Sequence, residues 1–178
     1  MKSAVTALSL AAVNLVAACT LTDHSPAKLD PGPEATFART LTARGVQIYE
    51  CRAGKEGSQY AWAFVAPDAE LFDRHGRHVA HHGVGPYWQA VDGSRVDGRV
   101  RATLDAPKAG SIPWLLLDAT DTGRYGVLSN VTRVQRVNTW GGTPPTWACT
   151  AREVGRQERV PYFAEYRFYK TAPRYALQ

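Results

Sequence analysis

The chain has 178 residues, 44% of them hydrophobic, with 21 Lys and Arg against 16 Asp and Glu. That length fits one domain with a self-sufficient core, burying about two-thirds of its unfolded surface. The excess positive charge is dispersed: its densest cluster, Arg152, Arg156, Arg159, Arg167, Lys170 and Arg174, is broken by acids and aromatics. It therefore reads as a solvated face, and no nucleic-acid partner is expected, because the export expected below removes the protein from such targets.

Met1-Lys2-Ser3 is a short positive start, and Ala4–Ala18 follows without a charge. This run is shorter than the ~20 apolar residues a spanning helix needs, and it ends in small residues. It is expected to be a secretory signal peptide over residues 1–18. Val16-Ala17-Ala18-Cys19 resembles the lipobox of bacterial lipoproteins, in which the cysteine is acylated and becomes the new N-terminus. An ordinary signal-peptidase site fits the same residues and cuts at the same bond. The expectation is a lipid on Cys19, export, and a membrane anchor facing the periplasm or cell surface. Residues 19–33, polar and proline-rich, read as the tether, and 34–178 as a single β domain.

From there the pattern is short β-type runs between turn residues. Gly45–Cys51 is β-branched and aromatic, and Gln59–Val65 alternates Tyr60, Trp62 and Phe64 with small residues. Further strands are predicted at Arg77–His82, Tyr87–Ala90, Arg99–Leu104, Ile112–Leu117, Tyr125–Asn138, Trp147–Cys149 and Tyr162–Tyr169. A bulge is expected at Ser129-Asn130. Asp73–Gly76, Asp92–Ser94 and Asp97-Gly98 supply turns. Short helical turns are expected only at Pro33–Leu41 and Ala66–Phe72. The sum is an all-β, single-domain antiparallel sandwich or barrel.

Three cysteines are present. With Cys19 taken by lipid, Cys51 and Cys149 form an even pair in an oxidising compartment and are expected to be bridged. Closing a loop of roughly 100 residues stabilises a fold by about 4.7 kcal/mol in the chain-entropy model. No Cys/His zinc spacing occurs, and no cofactor is expected.

Several of these segments recur in order in one known family. Gly45–Cys51, Ala66-Pro67 with Glu70-Leu71, His82–Trp88, Asp92–Ser94, Trp114–Leu117, Val134–Thr139 with Gly141-Gly142, and Cys149 together resemble domain of unknown function 3455, found in bacteria and fungi. The likeness runs from about Gly45 to Lys170. It implies a secreted or envelope-attached β protein and implies no activity. Some fungal relatives bear dehydrogenase-like names, but no strand–GxGxxG–helix unit occurs here.

Candidate chemistry is sparse. His75, His78, His81 and His82 crowd one hairpin, but same-face imidazoles at i and i+4 on a strand lie about 13 Å apart, too far to share an ion. No metal site is assigned. Of the four, the family pattern singles out His82, beside Gly83, Gly85, Pro86 and Trp88. Asp92 and Ser94 follow, yet without a nucleophile elbow they read as a self-capped turn. Gln135, Arg136, Asn138 and Thr139, leading into Trp140-Gly141-Gly142, either stitch a loop over a barrel end or line a cleft with Trp88. Trp62, Trp114 and Trp147 are expected in the core, with Trp88 and Trp140 partly exposed.

The expected function is therefore a non-enzymatic envelope domain binding a small molecule, a glycan or another envelope protein through His82, Trp88, Asp92, Gln135 and Asn138. One alternative is a hydrolytic or metal-assisted enzyme centred on His82 and Asp92. A second is a purely structural surface protein.

Overall fold

The computed structural model describes residues 26–54 and 59–171. The expected signal peptide, Cys19 and the first part of the tether lie outside them. Among the described residues, period-2 patterning builds eight strands. These are β1 (Ala35–Ala53), β2 (Tyr60–Phe72), β3 (His78–Gly83), β4 (Tyr87–Ala90), β5 (Arg95–Leu104), β6 (Trp114–Asp121), β7 (Val131–Gly141) and β8 (Gln157–Thr171). Each pairs antiparallel with the next, and β8 pairs with β1 to close a barrel. Of the two architectures expected, the barrel is the one adopted. Closure leaves no unpaired edge.

The alternation is clearest in β1 and β8. Leu41 and Ala43 on β1, and Tyr162, Ala164, Tyr166 and Phe168 on β8, point inward and join one core with Leu71, Trp88, Val96, Leu117 and Val134. Outward positions carry ion pairs, among them Arg159 with Asp68 and Arg133 with Asp118 at 3.2 Å. No helix among the described residues is long and apolar enough to cross a membrane.

Three local expectations are corrected. Pro33–Leu41 and Ala66–Phe72 are not helical turns; residues 35–41 lie in β1 and 66–72 in β2. Their Ala, Glu and Leu content favours helix locally, but pairing with β8 and β3 prevails, as tertiary context does over propensity. β7 starts only at Val131, because Asn130 takes a left-handed φ of 62° that ends the preceding turn. Trp147–Cys149 forms no strand.

Residues 26–33, assigned above to the tether, begin with a 3-10 turn at Ala27–Leu29. Leu29 is fully buried against Leu116 and Val137, with Ala102, Leu104 and Trp114 around it. These are outward positions of β5, β6 and β7, so this stretch of barrel is covered on both faces.

Up-and-down order sends successive connections to alternate ends. The β2–β3, β4–β5 and β6–β7 connections share one end, where Leu128 is fully buried as a plug. Asp92 Oδ1 accepts from the Ser94 backbone N–H (2.9 Å) and hydroxyl (2.6 Å), while Oδ2 accepts from the Val127 N–H (2.7 Å). The Ser94 hydroxyl in turn accepts from the Leu128 N–H at 3.0 Å. This network clamps two connections together and seals the end.

The opposite end carries the β1–β2, β3–β4, β5–β6 and β7–β8 connections. Here the expected Cys51–Cys149 disulfide is formed, with Cα atoms 5.5 Å apart. Cys51 pairs in register with Trp62, whose indole N–H donates to the Trp147 carbonyl at 3.0 Å. The two indoles meet edge to face at 6.1 Å. Bridge and indole pair together tie the β7–β8 connection to the end of β1–β2. Trp147 is thus half-exposed rather than core.

Candidate functional site

A cavity of about 500 Å³ opens at the disulfide end of the barrel. Its walls are inward-facing residues of the long strands together with the β3–β4 turn. Most are apolar: Phe64, Val65, Pro67, Val84, Pro86, Val100, Ile112, Pro113, Leu115 and Leu117. The polar contributions come from Gln47, Tyr49, His82, Trp88, Arg136 and Tyr166.

His82 on β3 sits directly across from Trp88 on β4, and their rings stack at 4.7 Å with 6° between planes. Tyr166 leans on both, 5.1 Å from His82 and 5.3 Å from Trp88, and Phe168 meets Trp88 edge-on at 6.0 Å. The indole fits because β5 carries Gly98 opposite it. A Cβ there would lie 2.7 Å from the ring. Trp88 is therefore fully buried, correcting the expectation of partial exposure. The glycines near it in sequence suggested a loose turn, whereas the glycine that decides its place is ten residues away.

His82 Nδ1 lies 2.7 Å from the Tyr87 carbonyl oxygen. A carbonyl only accepts, so Nδ1 carries the proton and Nε2 keeps its lone pair. Burial lowers the imidazole pKa to about 3, against the Tyr87 contact, and the Arg136 charge adds to the lowering. The ring is neutral at physiological pH.

Arg136 enters from β7 and donates Nε and Nη2 to the Pro113 carbonyl at 3.1 and 2.8 Å. No carboxylate lines the cavity, and no ion pair involves Arg136 among the described residues. Burial raises the pKa of Tyr166, and the neighbouring guanidinium opposes that rise. The Tyr49 hydroxyl is occupied, donating to the Gly142 carbonyl at 2.7 Å. Two buried donors in the wall have no partner: Trp88 Nε1 and Gln47 Nε2. Such groups are uncommon in native folds and ask for an explanation.

Of the five residues expected at a site, the structure brings His82 and Trp88 together in this cavity and leaves three elsewhere. Asp92 belongs to the clamp at the opposite end of the barrel. His82 and Asp92 therefore do not meet, and Ser94 is spoken for by Leu128. Gln135 faces outward under the N-terminal segment, donating to the Leu29 carbonyl at 2.6 Å and accepting from the Tyr169 hydroxyl at 2.8 Å. It is the stitching amide, not a cleft residue. Asn138 takes φ 50° at the irregularity between Val137 and Trp140, and its amide donates to Glu165 at 2.8 Å on the exposed face.

The other hairpin histidines are surface groups. His78 and His81 both contact Glu70. Among the described residues no group of three or more His, Cys, Asp or Glu is placed to hold a metal. Sequence reasoning missed Gln47, Tyr49 and Tyr166, and carried Arg136 only as one of the Gln135–Thr139 group. All four obey the period-2 alternation of their strands, so the signal was present; which face turned inward was not.

Chemically, the cavity offers apolar contact and one guanidinium with no carboxylate in the lining. No curated protein and no solved structure matches the chain. The family model described as "Protein of unknown function (DUF3455)" matches residues 31–170, and the chain belongs to that family.

Proposed function

We propose that the protein is a non-enzymatic binding protein of the cell envelope, exported, anchored through lipid on Cys19, and holding a small, largely apolar molecule inside the barrel. The observation that carries this reading is the cavity of about 500 Å³ with unpartnered Trp88 Nε1 and Gln47 Nε2 in its wall. Small-molecule sites fall in this size range and combine apolar walls with a few placed polar groups. A glycan would need a denser set of polar partners than this wall provides. Catalysis centred on His82 and Asp92 finds no support, since the two occupy opposite ends of the barrel and Asp92 caps a turn. The Cys51–Cys149 bridge is consistent with export.

The test uses the neutral fluorophore phenylnaphthylamine and a variant that fills the cavity mouth. Val100 lines the cavity and is 49% exposed, so Val100→Trp adds bulk without disturbing the core. Saturable fluorescence enhancement with the wild type that is lost in Val100→Trp supports the reading. Absence of binding, or equal binding by both, overturns it. Mass spectrometry of the mature N-terminus tests the lipid: an unacylated Cys19 removes the anchor.

A further inference from the structure

We infer that the barrel cavity selects an organic anion, a carboxylate with an apolar body, whose head is received by Arg136. The inference rests on the small-molecule reading above and names its ligand class.

The argument is one of charge and hydrogen-bond balance. Arg136 brings a permanent positive charge into a largely apolar wall. Pro113 satisfies Nε and Nη2 with a single carbonyl oxygen, which supplies no negative charge. Several outward arginines of the barrel meet carboxylates, as Arg159 does with Asp68, Arg95 with Asp97 and Arg101 with Asp118. Arg136 is partly exposed and no acid lines the cavity beside it, so a ligand carboxylate would gain a charge-assisted contact without displacing a paired side chain.

The neutral groups lean the same way. No acid lines the wall to repel an anion, and the buried Trp88 Nε1 and Gln47 Nε2 behind it are donors, not acceptors. His82 is uncharged, so it does not compete as a second cation. One fixed positive charge matches a monoanion better than a dianion. The planar guanidinium suits a carboxylate, whose two oxygens accept parallel N–H bonds. The remaining wall (Val100, Leu115, Leu117 and their neighbours) offers apolar contact only, which a hydrocarbon or aromatic body would fill.

Isothermal titration calorimetry of the purified protein at pH 7 tests this with three probes of equal chain length, each kept below its critical micelle concentration: decanoate, decanol and decyltrimethylammonium. The expected order places decanoate at least about tenfold tighter than decanol, as one charge-assisted contact would give, with the cation weakest. Arg136→Met should bring decanoate down to the affinity of decanol, while Arg136→Lys keeps the preference. The wild-type ranking needs no variant to fold. Equal affinity for decanoate and decanol, with both blocked in Val100→Trp, overturns the anion inference and leaves the small-molecule reading intact. No binding of any probe, or binding indifferent to Val100→Trp, overturns both.

Discussion

Gly98→Ala tests the packing on which the cavity depends. Position 98 has no left-handed φ to protect, so alanine is acceptable to the backbone, and the effect is one of space. The new Cβ would lie 2.7 Å and 3.1 Å from two ring atoms of Trp88 and 3.2 Å from a Leu117 methyl. Carbon pairs are comfortable at about 3.5–4.0 Å, so the indole must retreat by roughly 1 Å. It has little room to do so: His82 stacks on it at 4.7 Å, and Tyr166 and Phe168 press its edges. Overpacking of this kind costs about 1–3 kcal/mol, against a gain of about 0.4–1 kcal/mol from the stiffer unfolded chain. The net loss is then up to about 2.6 kcal/mol, a Tm drop of up to about 10 °C for a domain of this size. The assay is thermal unfolding by circular dichroism with the disulfide intact, read with the near-ultraviolet tryptophan bands. A Tm equal to or above wild type, with unchanged bands, would mean that Trp88 is not held as described.

Three further outcomes follow from the same geometry. Unfolded, His82 protonates near pH 6.5; folded, only near about 3. Between these values the unfolded state binds the extra proton, so stability present above pH 6.5 is lost as the pH falls, by up to about 1.4 kcal/mol per pH unit. Urea titrations from pH 7 to 4 should show that slope and its flattening in His82→Phe; parallel slopes refute the buried neutral ring. Ser94→Ala should cost about 1–3 kcal/mol, because the Leu128 N–H loses its acceptor in a buried site, yet phenylnaphthylamine binding should be unchanged. Lost binding with wild-type stability would contradict the placement of Ser94 at the sealed end. Replacing Cys51 and Cys149 together by Ala should lower stability by about 2–5 kcal/mol in denaturant titration. Free thiols at these positions in the wild-type protein, found by alkylation and mass spectrometry, would refute the bridge.

Much of the barrel can be read directly from local pattern. Tyr87–Ala90 matches β4 residue for residue, and the aromatic alternation of Tyr162–Tyr169 lies within β8. Cys51 and Cys149 are identified as partners by counting, because the third cysteine sits in a signal-peptide pattern. Period 2 also separates Arg136 from Gln135 correctly, since neighbours on a strand must face opposite ways.

What the pattern cannot say is which of two faces is inside. On β7 the ambiguity is greatest, because Leu29 covers part of the outer face and buried side chains occur on both sides, Val134 within the barrel and Gln135 and Val137 outside it. Gln135, a buried amide, then looks like a site residue although it holds the N-terminal segment, while its neighbour Arg136 is the one of the pair that lines the cavity. His82 and Asp92 are ten residues apart in sequence, but the alternation of connections sends them to opposite ends of the barrel. Trp88 is buried because of Gly98, on another strand. Local sequence determines strand periodicity, turns and the cysteine partnership through short-range sterics and polarity. Closure of β8 onto β1, the covering of one outer face and the fit of one indole against a distant glycine arise between segments, and only the tertiary structure decides them.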